Sequence, residues 1–307
     1  MELSPKHPFF SANDFFRERV GGKLIKLTVD GGFTCPNRDG TLSTKGCIFC
    51  SAKGSGDFAP DRDVDIKKQI EIMKEKMRAK WGEGKMYMAY FQAFTNTYAP
   101  IEVLREKFTT ALACEGVTAI SIATRPDCVN ERVCDLLEEI AQNSYVCVEL
   151  GLQTANDKVG ELINRCYKTE VYKNAVEMLK RRGIDVITHI ILGLPTETKA
   201  DMQETVNYAV KCGTDGIKLQ LLHVLEGTEL AKMYRQKPFH IFAYEEYVNF
   251  VVDIIERVPK SVSIHRITGD GSKALLIEPW WSLDKRRVLN GISREFIKRG
   301  TCQGCKT

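Results

Sequence analysis

Three of the chain's eleven cysteines, Cys35, Cys47 and Cys50, fall on one loop. It reads Gly31-Gly32-Phe33-Thr34-Cys35-Pro36-Asn37-Arg38-Asp39-Gly40 and then Lys45-Gly46-Cys47-Ile48-Phe49-Cys50. The two-residue gap between Cys47 and Cys50 lets both thiolates serve one metal centre. Three thiolates leave that centre incomplete. A closed structural zinc takes four protein ligands, whereas three leave a coordination position open for chemistry. A 4Fe-4S cluster usually takes four thiolates, so three would leave one iron able to bind a small molecule. A zinc knuckle completed by a distant residue, a redox Cys-x-x-Cys pair and three unconnected thiols are the other readings of the same residues. The loop's position after the first βα strand favours an open metal site, because that is where an α/β barrel holds its chemistry.

Elements that could position such a loop are readable along the whole chain. Segments rich in Val, Ile, Tyr and Leu predict strands at 24–29, 86–91, 119–123, 145–150, 185–192 and 216–222. Helical patterns lie between them, at 65–81, 101–114, 130–142, 157–163 with 170–182, 200–212 and 244–258. This alternation predicts an α/β fold with a parallel sheet, a partial (β/α)6 TIM-like barrel. Residues 1–22 are expected to form an N-terminal extension, 23–258 the barrel, and 259–307 a substrate-side extension with a basic tail. The 307 residues accommodate that single catalytic domain. Lys and Arg total 44 against 40 for Asp and Glu, and the resulting +4 is too mild to demand or forbid an anionic partner.

The odd thiol count, spread from Cys35 to Cys305, argues against a secreted disulfide framework. Pro5, His7, Pro8, Asn13 and Asp14 occupy the place where a secretory signal needs an apolar core. The expected address is the cytoplasm, without a membrane. Cys114, Cys128, Cys134, Cys147, Cys166 and Cys212 read as small buried hydrophobes.

Polar side chains in buried strands are costly unless paired or used. Glu149 and Gln153 share parity near the end of the fourth strand, His189 interrupts the fifth, and Lys218 and Gln220 interrupt the sixth. Gln92 and Asn96 close the second. The barrel's carboxyl rim, where active sites form, thus gathers polar groups beneath the cysteine loop.

Cys35, Cys47 and Cys50 after a first barrel strand resemble the cluster motif of radical S-adenosylmethionine enzymes, in the branch of the elongator catalytic subunit and coproporphyrinogen oxidase. The commonest spacing there has three residues between the first two cysteines, and here there are eleven. Long first gaps resemble the YhcC/YtqA-like subgroup, which also carries a segment similar to Tyr90-Phe91-Gln92-Ala93-Phe94-Thr95-Asn96-Thr97-Tyr98. Glu149-Leu150-Gly151-Leu152-Gln153-Thr154 resembles the fourth-strand motif and His189-Ile190-Ile191-Leu192-Gly193-Leu194-Pro195 the fifth. The resemblance implies that the three cysteines hold a 4Fe-4S cluster. It implies that Gln92, Thr95, Asn96, Glu149, Gln153 and His189 lie on the S-adenosylmethionine side, with Arg165 pairing with the cofactor carboxylate. Ala123, before Thr124-Arg125-Pro126-Asp127, departs from the glutamate common at that position. Lys218, Gln220, His265 and Arg266 are the expected substrate-side residues.

The resemblance further implies reductive cleavage of S-adenosylmethionine and abstraction of a substrate hydrogen, with flavodoxin or ferredoxin as electron donor. The subgroup points to tRNA wobble uridine and conversion of its 5-carboxymethylaminomethyl group to 5-aminomethyl. Trp280 and Trp281 followed by Lys285 to Arg287 and Arg294 to Arg299 would supply stacking surface and phosphate-binding charge. Cys302-x-x-Cys305 is a candidate auxiliary metal site. The alternatives are a radical enzyme acting on another substrate, or a zinc-stabilised RNA-binding protein in which Cys47-x-x-Cys50 and Cys302-x-x-Cys305 share one ion.

Overall fold

The structure, a computed structural model, describes residues 2–54, 59–82, 86–269 and 271–307. Its elements in chain order are α1 (Ala12–Val20), β1 (Ile25–Val29), α2 (Ile66–Trp81), β2 (Tyr87–Phe91), α3 (Ile101–Leu112), β3 (Val117–Thr124), α4 (Glu131–Ala141) and β4 (Tyr145–Gln153). There follow α5 (Asp157–Leu162), α6 (Thr169–Arg181), β5 (Asp185–Leu192), α7 (Lys199–Lys211), β6 (Gly216–Leu221), β7 (Val224–Leu225), α8 (Glu229–Gln236) and α9 (Tyr244–Ile255). The last are β8 (Ser263–Arg266), β9 (Leu276–Glu278) and α10 (Lys285–Arg299). All six expected strands form, and the sheet runs β1-β2-β3-β4-β5-β6-β8, with every pairing parallel.

Strand alternation decides which side chains face the interior. Ile25, Leu27 and Val29 are buried with Ile66, Ile70 and Met73 of α2, which leaves Lys26 and Thr28 on the other face. The sheet is curled, as side chains from its two ends demonstrate. Neighbouring strands lie about 4.8 Å apart, so β1 and β6 would be about 24 Å apart if the sheet were flat. Lys26 of β1 and Lys218 of β6 nevertheless bond the same carboxylate. The result is a half barrel with β1 and β8 as its edges.

The 259–307 boundary is corrected by this topology. Ser263–Arg266 pairs with β6 through Gly216↔Ser263 and Lys218↔Arg266, so the barrel's seventh strand lies inside the segment expected to be an extension. The 1–22 segment also joins the fold. Phe15 and Phe16 of α1 pack with Leu24, Met88, Ala119, Cys147 and Ile187, the inward residues at the amino ends of the strands, and so plug the barrel's floor. α9 is apolar on most of its surface because it is covered twice, by the sheet and by Val288, Ile292 and Phe296 of α10.

Cys302-Gln303-Gly304-Cys305 forms a turn that ties the two chain ends together. Gln303 is fully buried; its backbone N–H donates to Pro8 (2.7 Å) and its side-chain oxygen accepts from the Phe10 N–H (2.8 Å). Its amide nitrogen donates to the carbonyls of Pro259 (2.7 Å) and Val262 (2.6 Å). This places the turn at the start of β8, the amino end of a parallel sheet, while the Cys35–Cys50 loop leaves the carboxyl end of β1. The two pairs stand at opposite ends of the barrel and cannot share one ion. Gln303→Leu should lower the unfolding free energy by about 3 kcal/mol in urea denaturation, because it strands the Phe10 N–H and two buried carbonyls. Replacing Cys302 and Cys305 together by Ser should cost less than about 1 kcal/mol and release no metal.

Candidate functional site

At the barrel's centre is a buried carboxylate with a partner on each of five other strands. Glu149 of β4, 1% exposed, receives Lys26 Nζ from β1 (2.8 Å) and Ser121 Oγ from β3 (2.9 Å) on Oε1. Its Oε2 receives Tyr90 from β2 (2.8 Å), His189 Nε2 from β5 (2.7 Å) and Lys218 Nζ from β6. Burial alone would raise this carboxyl, but Lys218, Lys26 and the His189 hydrogen bond hold it well below the usual carboxylate range. Burial and the neighbouring Lys218 push the His189 imidazole down to about 4, so the ring is neutral at pH 7. Its Nε2–H then donates to Glu149, and its Nδ1 accepts from Gln220 Nε2 (3.0 Å). Sequence reading singled out Glu149, His189, Lys218 and Gln220 but missed Lys26, Tyr90 and Ser121. The signal for Lys26 was available, since a lysine between Ile25 and Leu27 has inward parity.

The cysteine loop sits above this network, and hydrogen bonding explains its long first gap. The Gly46 N–H donates to the Asn37 carbonyl (2.7 Å), which brings those two residues together and loops out residues 38–45. Along the shortened path only Pro36, Asn37 and Gly46 separate Cys35 from Cys47, which recovers a three-residue gap. Gly46 has a left-handed backbone, φ 72°, and an added Cβ would lie 2.9 Å from Arg38 Nε, so the closure needs glycine. Arg38 fastens the loop by donating to the carbonyls of Cys50 (3.1 Å) and Ser51 (2.6 Å). Asn37 Nδ2 donates to the Asn164 carbonyl (2.6 Å) and lies 3.5 Å from Cys47 Sγ.

None of the three cysteines is in a disulfide, and all three line a cavity of about 150 Å³. Burial and the facing Cys50 push the Cys47 thiol up to about 12, so it becomes a thiolate when a cation is present to hold it. Among the described residues no three His, Cys, Asp or Glu side chains converge on the position of a single metal ion. A donor set of three thiols spread around one cavity suits a larger group such as an iron-sulfur cluster, with one side left toward the barrel.

Gln92, Thr95, Gln153, Arg165, His189, Gln220 and Arg266 line the same cavity. Lys218 and His265 line the adjoining one. Gln153 holds a left-handed backbone, φ 60, and Phe94 (59), Asn164 (54) and Cys166 (64) do likewise; such strain in non-glycine residues concentrates at functional sites.

Several expectations are changed by the geometry. Asn96 is wholly buried and lies outside the cavity lining, with Nδ2 donating to the Ala123 carbonyl (2.7 Å). Arg165 is 1% exposed and all five of its N–H groups have protein partners. Nε donates to Tyr167, Nη1 to the carbonyls of Leu152 and Thr154, and Nη2 to Asp157 and the Thr169 hydroxyl. Gly160 leaves room for this guanidinium, since a Cβ there would sit 2.9 Å from Nη2. A cofactor carboxylate would have to displace one of those bonds. Arg125, which sequence reading passed over, also lines the cavity; Nε and Nη2 donate to Asp127 at 2.9 and 2.7 Å, Nη2 also donates to the Arg165 carbonyl (2.9 Å), and Nη1 takes no part in these bonds. Of the six scattered cysteines only Cys134 and Cys147 are buried, Cys114, Cys128 and Cys212 are half-buried, and Cys166 is exposed.

Comparison with known proteins agrees with this arrangement. Residues 36–209 match the radical SAM superfamily and residues 214–298 the radical SAM C-terminal domain. The uncharacterized protein YtqA of Bacillus subtilis is 47% identical over 296 residues, covering 96% of this chain and 92% of that protein. A tRNA-2-methylthio-N(6)-dimethylallyladenosine synthase of Thermotoga petrophila is 26% identical over 71% of this chain and 48% of its own length. The solved structure of Methanocaldococcus infernus Elp3 superposes with a TM-score of 0.70 at 18% identity, over 91% of this chain and 64% of that one, and so shares the fold. No helix among the described residues is long and apolar enough to cross a membrane.

Two measurements probe the site's construction. Arg165→Gln should unfold at a urea concentration lower by an amount equal to about 3 kcal/mol or more, and Arg125→Gln, which loses the Asp127 pair and one bond to the Arg165 carbonyl, should lower it by less. His189 ties stability to pH. The folded ring titrates at about 4 against 6.5 for an ordinary histidine, so its contribution is fully present above pH 6.5 and drains as the pH falls toward 4. The loss amounts to about 3 kcal/mol. It should appear as a difference between the acid unfolding of the cluster-free protein and that of His189→Gln.

Proposed function

The chain belongs to the radical S-adenosylmethionine superfamily, and from this we propose that it modifies tRNA, acting on the 5-carboxymethylaminomethyl group of wobble uridine to leave 5-aminomethyl uridine. The family's cofactors are a 4Fe-4S cluster and S-adenosylmethionine. When bound, they supply reductive cleavage of a sulfonium and removal of hydrogen from an unactivated carbon, chemistry that no amino-acid side chain provides. The protein's tasks are to hold, orient and exclude water.

On this reading Cys35, Cys47 and Cys50 would hold the cluster, and Gln92, Thr95 and Gln153, which line the same cavity, would bind S-adenosylmethionine. Arg125 is the guanidinium best supplied with donors for the cofactor carboxylate, because Arg165 is fully engaged in holding the β4–α6 connection. Neutral His189, fixed between Glu149 and Gln220, can orient a ribose hydroxyl without adding charge. Gln220, Lys218, His265 and Arg266 then face the substrate.

The observation that carries the enzymatic reading is the meeting of three loop thiols with polar groups from the barrel strands around one cavity. The tRNA reading is supported by the nature of the synthase relative and by the tail. Lys285, Arg286, Arg287, Arg294 and Lys298 of α10 are exposed, as is Trp280 at 58%. Arg299 is not part of that surface, being bonded to Asp253, Glu256 and Glu295. Trp281 is likewise turned inward, with its indole N–H on the Phe242 carbonyl (2.9 Å). Flavodoxin or ferredoxin is the proposed electron donor.

Anaerobically purified protein should be brown and carry about four irons and four sulfides per chain. Replacing Cys35, Cys47 and Cys50 by Ala should abolish the colour, and a colourless protein holding one zinc would refute the reading. Dithionite and S-adenosylmethionine should yield 5'-deoxyadenosine. Nucleoside analysis of tRNA from a deletion strain should show the carboxymethylaminomethyl form accumulating, and an unchanged wobble uridine would remove the tRNA assignment.

A further inference from the structure

A second cavity, of about 630 Å³, adjoins the first and shares Tyr90, Gln92, Gln153, His189, Gln220 and Arg266 with it. Its outer walls are Met73, Lys76, Met77 and Lys80 of α2 and Ala12, Asn13 and Phe16 of α1. α2 packs on β1 and α1 on β8, the two edge strands of the half barrel. The chamber therefore opens sideways, where the sheet does not close on itself.

Charge on its walls has one sign. Among the described residues that line it, Lys26, Lys76, Lys80, Lys218 and Arg266 are cationic and none is acidic. Glu149 beneath them carries a single charge shared by Lys26 and Lys218, so that pair alone leaves a positive surplus at the inner wall. His189 and His265 do not offset it, since burial keeps both neutral. Burial, together with the facing Lys26 and Arg266, lowers Lys218 to about 7 despite Glu149, so its ammonium is only partly charged at neutral pH and an arriving anion would restore the full charge.

The cations lie at two depths. Lys26 and Lys218 project from inward strand positions onto the floor. Lys76 and Lys80 are one helical turn apart and exposed on α2, with Met73 and Met77 offering an apolar strip beside them. We propose that this chamber seats one nucleotide of an RNA strand, with Lys26 and Lys218 receiving a carboxylate carried on its base and Lys76 and Lys80 holding the flanking phosphates. The inference rests on the tRNA reading above and adds the site, the direction of approach and the residues that tell the modified base from its product. A product that has lost the carboxylate leaves the inner seat unfilled and is released.

The test uses the reconstituted holoenzyme and two anticodon stem-loop RNAs that differ only in bearing 5-carboxymethylaminomethyl or 5-aminomethyl uridine. Binding is followed by fluorescence anisotropy across a salt series. Wild type should prefer the carboxylate-bearing RNA by about 10-fold or more, the contribution expected of a buried charge-assisted bond. Lys26→Met leaves Glu149 balanced by Lys218, and it should erase that preference while keeping the salt slope. Lys76→Gln with Lys80→Gln should weaken both RNAs alike and reduce the slope by about 1.4, at roughly 0.7 per single-strand phosphate contact, with the preference retained. Equal binding of the two RNAs by wild type, a preference that survives in Lys26→Met, or an unchanged slope in the α2 double variant would overturn the chamber assignment alone. If neither RNA binds wild type, the tRNA reading falls and the assignment with it.

Discussion

A carboxylate removed from water must be met by cations and donors, or it destabilises the fold that buries it. Glu149 imposes that requirement on this protein, and Lys26, Tyr90, Ser121, His189 and Lys218 meet it, one from each of five other strands. Those groups reach a common point only when the sheet is curled and every strand is in register. A slip of one residue in β1 would turn Lys26 outward and leave half of the ion pairing undone. Closure of the half barrel and ionisation of its centre are thus a single condition.

The functional rim is built on that floor. Gly151, His189, Lys218 and Arg266 stand in register across β4, β5, β6 and β8, so polar groups rise in rows toward the carboxyl ends of the strands. Above them the chain departs from relaxed geometry at Phe94, Gln153, Asn164 and Cys166, and packing holds those positions. Arg165 is the chief support there. With a guanidinium fixed by five acceptors from the β4 end, α5 and α6, the segment that backs the cysteine loop becomes rigid. The loop itself is braced from the same side, because the Asn164 amide donates to the Gly46 carbonyl (2.7 Å) and the Ile48 N–H to Ile163 (3.1 Å).

Much of this was legible in the residue order. Period-two strands alternating with helical patterns are local signals, and all six expected strands exist. Lys218 and Glu149 announced themselves as charges in apolar runs. The seventh strand was harder to place, since Ser263–Arg266 is only four residues long and its role depends on pairing with β6. The commitments of Arg165 were hidden for a related reason. Spacing from Gln153 locates it near the cofactor side, but whether its donors are free is a question about acceptors on three other segments. The Cys302–Cys305 pair shows the same limit: its spacing gives no sign of the buried glutamine it frames.

Residue types and their spacing by themselves determined the fold class and the cysteine loop as a candidate metal site, and motif resemblance added the superfamily, because these depend on short-range patterns that survive without coordinates. Tertiary structure alone decided what each polar group is committed to. It folded out residues 38–45 to bring Cys35 and Cys47 together, engaged Arg165 in the framework, set Arg125 on the cavity wall, and separated the two Cys-x-x-Cys pairs by the length of the barrel. It also gathered Lys26, Lys76 and Lys218, far apart along the chain, around one chamber. The physical reason is that hydrogen-bond satisfaction and local charge balance are sums over neighbours in space, and a linear sequence does not say who those neighbours are.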